Sequence, residues 1–156
     1  LHCFRAGGRA NLRSALRQAA RLAGFSLSVE APVPMPQATS YLPGQGAVDL
    51  DTLLASLPAG RPVVPVLFYR SMLLAVDTAP IDTFCAALAE QGLAAGPLAV
   101  SSLKDPAADA FLQEGFARLK PAAIVTTTGF AIGADATGAA SALLNNPMPL
   151  PEALNL

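Results

Sequence analysis

The spacing of apolar positions changes along the chain, and each change predicts an element. Between Arg9 and Ala23, Leu12, Leu16, Ala19 and Ala23 share one face at helical spacing, while Arg9, Arg13, Arg17 and Arg21 form a separate basic ridge. Gly24 is placed to end that helix. Residues 1–5 read as the tail of a strand before a Gly7-Gly8 turn, and Phe25–Val29 alternates with the period of two that predicts a strand. Over 31–47, Pro32, Pro34, Pro36 and Pro43 argue against helix and central strand, so the expectation is a long ordered loop or interdomain connection, with Tyr41-Leu42-Pro43-Gly44 as a turn. Asp49 then caps a short helix that holds Leu50, Leu53, Leu54 and Leu57 inside and stops at Pro58.

From Pro62 the pattern becomes regular. Val63–Tyr69 is an almost unbroken apolar run ending in Arg70-Ser71, the signature of a buried parallel strand. A loop leads to a helix over 80–91, with Pro80 at its first position, Ile81, Phe84, Cys85 and Leu88 as its apolar stripe, and Gly92 at its end. Pro97–Ser102 is the next strand. Asp105 and Pro106 start a helix burying Ala108, Phe111, Leu112, Gly115 and Leu119, which stops at Lys120-Pro121 before a third strand, Ala122–Thr128. Short strand–helix–strand connections imply right-handed crossovers and an α/β fold, a Rossmann/flavodoxin-like parallel sheet with flanking helices. Pro65 would lose a ladder bond inside a central strand, so it marks a bulge or an edge. Past Phe130, Gly133–Gly138 is small and flexible, 139–144 has helical character, and Pro147, Pro149 and Pro151 end regularity. The expected organisation is residues 1–47 as the end of a preceding α/β segment with its Pro-rich connection, and 48–156 as a flavodoxin-like unit truncated at its C-terminus.

Composition narrows the functional classes. Of the 156 residues, 53% are apolar and only 13% charged, roughly half the usual charged share, so part of the surface is expected to lie under further protein. A net charge of −1 gives no electrostatic footprint for nucleic acid or an anionic membrane, and neither is expected as a partner. Cys3 and Cys85 have no metal spacing and suggest no disulfide framework; they read as reduced thiols of a cytoplasmic protein. The longest apolar stretches are far short of the about 20 residues a membrane helix needs. No basic-then-apolar signal peptide opens the chain, and its start at Leu1 without Met suggests a piece of a longer polypeptide.

Candidate chemistry collects at the strand ends. If the three strands are parallel, Arg70-Ser71, Ser101-Ser102-Lys104-Asp105 and Thr126-Thr127-Thr128-Gly129 share one edge of the sheet beside helix N-termini. Such a rim of hydroxyls, two cations and a carboxylate suits carboxylates, amides or phosphate; the same residue types also serve as caps and turns. His2 is the sole histidine, so a metal site or a Ser-His pair would need other sequence. There is no Walker A pattern, and no Gly-x-Gly-x-x-Gly follows a strand. Asp49/Asp51 and Asp105/Asp109 sit where helix starts favour negative charge. By itself this stretch is not a complete enzyme.

Val64-Pro65-Val66-Leu67-Phe68-Tyr69-Arg70-Ser71, followed by Asp77-Thr78-Ala79-Pro80-Ile81-Asp82, resembles the large subunit of aerobic cobaltochelatase, a family similar to the porphyrin-binding large subunit of magnesium chelatase. Gly7-Gly8-Arg9-Ala10-Asn11-Leu12, Tyr41-Leu42-Pro43-Gly44, Ser101–Asp105 and Thr127–Ala131 resemble further segments of that family in the same order. Phe68–Ser71 and Asp77–Pro80 favour the cobalt branch, and Met72, where many relatives carry histidine or tyrosine, argues against metal ligation at that position. The resemblance implies a ligase of cobalamin biosynthesis that inserts Co²⁺ as a substrate into hydrogenobyrinic acid a,c-diamide. Mg-ATP would be hydrolysed on AAA+ ATPase partners acting with adaptor subunits. This stretch would supply scaffold and part of the tetrapyrrole (corrinoid) cleft, with Arg70, Ser71, Asp77, Lys104 and Thr128 as substrate-binding residues. No catalytic or metal-ligating residue falls in it, and the fragment alone is expected to be inactive. The alternatives are the magnesium-chelatase branch and a non-catalytic α/β domain that docks other domains or the AAA+ partners.

Overall fold

The computed structural model describes residues 2–127. Its centre is β3 (Val63–Tyr69), buried without interruption from Val64 to Phe68, as the apolar run requires. β3 pairs in parallel with β4 (Ala94–Val100) on one side and β5 (Val125–Thr126) on the other. Beyond β4 lies β1 (Ala38–Leu42), antiparallel to it, and then β2 (Gly46–Val48), giving the order β2-β1-β4-β3-β5. The expected α/β architecture and its parallel three-strand centre are present, and an antiparallel hairpin extends one side. The division expected between residues 47 and 48 falls inside β2.

Both strand prolines sit where a ladder is short. Carbonyls of Val63 and Leu67 accept from Ala122 and Thr127 on the β5 side. Because N–H and C=O of one residue leave a strand on the same side, the nitrogen of Pro65 faces β5 too. That ladder begins only at Val66↔Val125. In β4, Ser101 N–H donates to Gln37 on the β1 side, so Pro97, two pairs away, also faces β1, where pairing ends at Ser40↔Leu98. Each proline therefore sits where its missing N–H limits the ladder: pairing with β5 starts after Pro65, and pairing of β4 with β1 stops before Pro97.

Helices cover both faces. On one, α3 (Leu50–Ser56) and α6 (Pro106–Leu119) pack Leu53, Leu112, Phe116 and Leu119 onto Leu67, Leu98 and Val100. A Cβ on Gly115 would meet Leu98 at 3.6 Å, an ordinary van der Waals contact, so this buried position has room for alanine. On the other face, α4 (Arg70–Ala75) and α5 (Ala79–Glu90) bring Leu73, Ile81 and Cys85 against Tyr41, Phe68 and Ala99. The expected caps are made: Asp49 accepts from Thr52 N–H and Asp105 from Ala107 N–H. No described helix is long and apolar enough to cross a membrane.

Several local expectations are corrected. Residues His2–Ala6 form a helix, α1, instead of a strand tail. Phe25–Val29 has no strand partner among the described residues; it runs beside α2 (Gly8–Leu22), whose side chains satisfy backbone groups farther along, Ser14 Oγ accepting from Glu30 N–H at 3.3 Å. The stretch expected to exclude a central strand contains β1, because the prolines flank a proline-free run from Gln37 to Leu42. Residues after Tyr69, expected as a loop, form α4. α2 is present as expected but rotated: it buries Gly8, Asn11 and Ser14, while Leu16 stays 69% exposed. The third strand is shorter than expected, and Thr128, Gly133–Gly138, 139–144 and the last three prolines lie outside the described residues.

Candidate functional site

The register Tyr69↔Val100 places Arg70-Ser71 beside Ser101-Ser102, and Thr127 N–H donates to Leu67 on the other flank of β3. The carboxyl ends of the three strands therefore meet along one edge, as expected. At that edge Ser71, Asp77 and Lys104 are exposed, and the backbone N–H of Lys104 donates to Ser102 Oγ at 3.1 Å. Arg70 is half-buried and turned elsewhere: Nε donates to Pro36 O and Nη2 to Met35 O, both at 2.6 Å. Its planar fork ties the Pro-rich strap to the end of the central strand.

Behind the strap lies an open cleft of about 580 Å³, a volume in the range of small-molecule sites. Three of the segments that carried the resemblance, 7–12, 41–44 and 77–82, contribute to its lining. The first, Gly7-Gly8-Arg9-Ala10-Asn11, starts α2. Gly7 has φ 63° and ψ −176°, a conformation essentially restricted to glycine, and a Cβ there would stand 2.9 Å from Leu74 Cβ. Glycine thus lets α2 begin against α4. Asn11 then fixes the strap: Nδ2 donates to Gly7 O at 2.8 Å and Val33 O at 2.7 Å, and Oδ1 accepts from Val33 N–H at 2.9 Å. With all these groups engaged, Asn11 is a structural staple.

The opposite wall combines Tyr41 of β1 with Thr78 and Asp82 of the α5 start. The Tyr41 hydroxyl lies 2.5 Å from Asp82 Oδ1 and 2.9 Å from Thr78 Oγ1. A phenol has one proton, so it donates to the carboxylate and accepts from the threonine hydroxyl. The Tyr41 ring meets Phe68 edge-on at 5.6 Å, which anchors the wall to the core. Burial, followed by the hydrogen bond to Asp82, raises the phenol above its ordinary pKa, so it stays protonated near neutrality. Gly44 and Gln45 of the turn between β1 and β2, with Gly46 and Ala47 of β2, close one side.

None of Arg70, Ser71, Asp77 and Lys104 lines this cleft; Arg70 acts on its wall through the strap. Sequence reasoning missed Tyr41, Thr78 and Asp82, although two of its own family-like segments contain them. Their spacing carries no chemistry until folding joins positions 37 and 41 residues apart. Among the described residues no group of three or more His, Cys, Asp or Glu could hold a metal ion. Cys85 is buried, and burial followed by the charge of Asp82 pushes its thiol up to about 11.

Comparison with known proteins agrees with this architecture. The family model described as CobN/Magnesium Chelatase matches residues 1–155. The chain is 43% identical over 100 residues to the aerobic cobaltochelatase subunit CobN of Pseudomonas aeruginosa, covering 64% of this chain and 8% of that protein. It is 32% identical over 144 residues to the aerobic cobaltochelatase subunit CobN of a Sinorhizobium species, covering 85% of this chain and 11% of that protein. The catalytic subunit of cobaltochelatase from Mycobacterium tuberculosis shares the fold, with a TM-score of 0.63 at 24% identity over 85% of this chain and 10% of that one. The chain thus spans only between 8% and 11% of the curated relatives it matches. With a family match along nearly its whole length, the chain belongs to the CobN/magnesium chelatase family.

Proposed function

We propose that this chain is part of the large subunit of an ATP-dependent cobaltochelatase, the ligase that inserts Co²⁺ into hydrogenobyrinic acid a,c-diamide in cobalamin biosynthesis. Mg-ATP is hydrolysed on AAA+ partners working with adaptor subunits, in the cytoplasm, and this stretch contributes scaffold and one wall of the corrinoid cleft. The observation that carries the reading is the cleft itself: three separated family-like segments converge on one cavity with a fixed Tyr41–Thr78–Asp82 wall. Two relatives named as aerobic cobaltochelatase subunits support the cobalt branch over the magnesium branch.

In this reading the residues bind and position, and the metal-handling groups lie elsewhere in the subunit. The cleft admits an edge of a macrocycle with its side chains. Ser71, Asp77 and Lys104 form a polar fringe at the strand ends that hydrogen-bonds amides and carboxylates, and the family resemblance assigns Thr128 the same role. Arg70 is a positioning residue that holds the strap. The test is absorbance titration of the full-length subunit with hydrogenobyrinic acid a,c-diamide: Arg70→Ala is expected to weaken binding about tenfold, from loss of hydrogen bonds to a charged donor. Unchanged corrinoid affinity would make Arg70 purely structural, and no binding by the wild-type subunit would remove the reading.

One observation favours a second reading, a domain that docks other domains or the AAA+ partners. Leu16, Leu22 and Phe25 are exposed by 69%, 83% and 65% on the outer side of α2 and the segment after it. Capture of AAA+ partners by the full-length subunit, lost on Leu16→Glu while corrinoid affinity is retained, would support it.

A further inference from the structure

We propose that Asp82 selects amidated over carboxylate side chains on the macrocycle edge, a role that rests on the cobaltochelatase reading above. Among the described residues the cleft lining contains one carboxylate, Asp82, and one cation, Arg9. The hydrogen bonds around Asp82 run in one direction, from the Thr78 hydroxyl to Tyr41 and from Tyr41 to Asp82 Oδ1. Both hydroxyl protons are thereby committed toward the carboxylate, and this wall offers a ligand acceptors rather than donors. An ionised carboxylate accepts at about four lone-pair positions, so Tyr41 leaves it capacity.

The physical consequence is a sign-dependent preference. A primary carboxamide brings N–H donors to Asp82, whereas a ligand carboxylate brings like charge to a partly desolvated wall. The amide oxygen has complementary groups across the cleft at the start of α2, where Gly7 caps the helix without a side-chain hydrogen bond and Arg9 is exposed. Asn11 does not compete for this role, because its amide is engaged by Gly7 and Val33. A hydrogen-bonding site of this kind rejects the wrong functional group more strongly than an apolar pocket rejects an extra methylene.

The test is equilibrium titration of the full-length subunit with hydrogenobyrinic acid a,c-diamide and with hydrogenobyrinic acid, whose corresponding groups are carboxylates. The wild type is expected to prefer the diamide about tenfold or more. Asp82→Asn should bring the two affinities within about twofold, mainly by tightening the acid, while Asp82→Glu keeps the preference. Because Asp82 also holds Tyr41, a surface variant gives an independent arm: Gln45→Lys, on the exposed turn lining the same cleft, should shrink the preference by adding a cation there. Wild-type-level discrimination in both Asp82→Asn and Gln45→Lys overturns the proposal, as does equal binding of the two macrocycles by the wild type. If the wild type binds neither macrocycle, the cobaltochelatase reading fails and takes this inference with it.

Discussion

Gly7 and Tyr41 show how much single positions determine here. A side chain at Gly7 meets Leu74 Cβ at 2.9 Å in a backbone conformation other residues avoid. Gly7→Ala is therefore expected to destabilise by about 1–3 kcal/mol, the usual range for such a strained position, measured as a shift in denaturant midpoint. Tyr41→Phe removes a hydrogen bond to a charged partner and should cost about 1.5–3 kcal/mol, because Asp82 is left short of a donor. Folding raises the pKa of both Tyr41 and Cys85, so their contribution to stability is complete at lower pH and lost as pH rises. For Cys85 the window runs from its ordinary 9.0 to about 11. Unfolding free energy measured across that window should fall less steeply in Cys85→Ala than in the wild type. The strain at Gly7 is not readable from sequence, since it depends on what packs opposite, whereas the burial of Cys85 was legible from its place on the apolar stripe of α5.

At the scale of elements, α2 teaches most. Its apolar stripe was legible, and so was its length, because helical periodicity is local. Its orientation was not. The helix buries its small and polar positions because Gly8, Asn11 and Ser14 fit against the strap, with Asn11 and Ser14 bonding its backbone. Leu16→Gln should accordingly change stability by no more than about 0.5 kcal/mol, whereas Leu112→Ala, fully buried between α6 and the sheet, should cost about 2–5 kcal/mol. Thermal unfolding of the two variants checks the contrast. Arg70→Ala should release the strap from β3, and limited proteolysis within residues 30–37 should accelerate relative to the wild type. β1 escaped the sequence reading for a related reason: its neighbours β2 and β4 decide that it is a strand, and prolines on both sides hide it.

For the whole molecule, the sequence by itself determined the order of β3, α5, β4, α6 and β5, two helix caps, the parallel pairing at the centre and the edge where strand ends meet. Those features follow from hydrophobic period, proline position and capping chemistry, all of which act over a few residues. The family was legible too, from short segments kept in order. The tertiary structure alone decided that residues 38–48 join the same sheet, that Pro65 and Pro97 fall beside ladder ends, and that α2 turns Leu16 and Leu22 outward. It alone assembled the cleft, because Asn11, Tyr41, Thr78 and Asp82 acquire a shared chemistry only when strand pairing and helix packing bring distant segments within hydrogen-bonding reach. Local periodicity specifies which elements form, and long-range packing specifies which side chains meet.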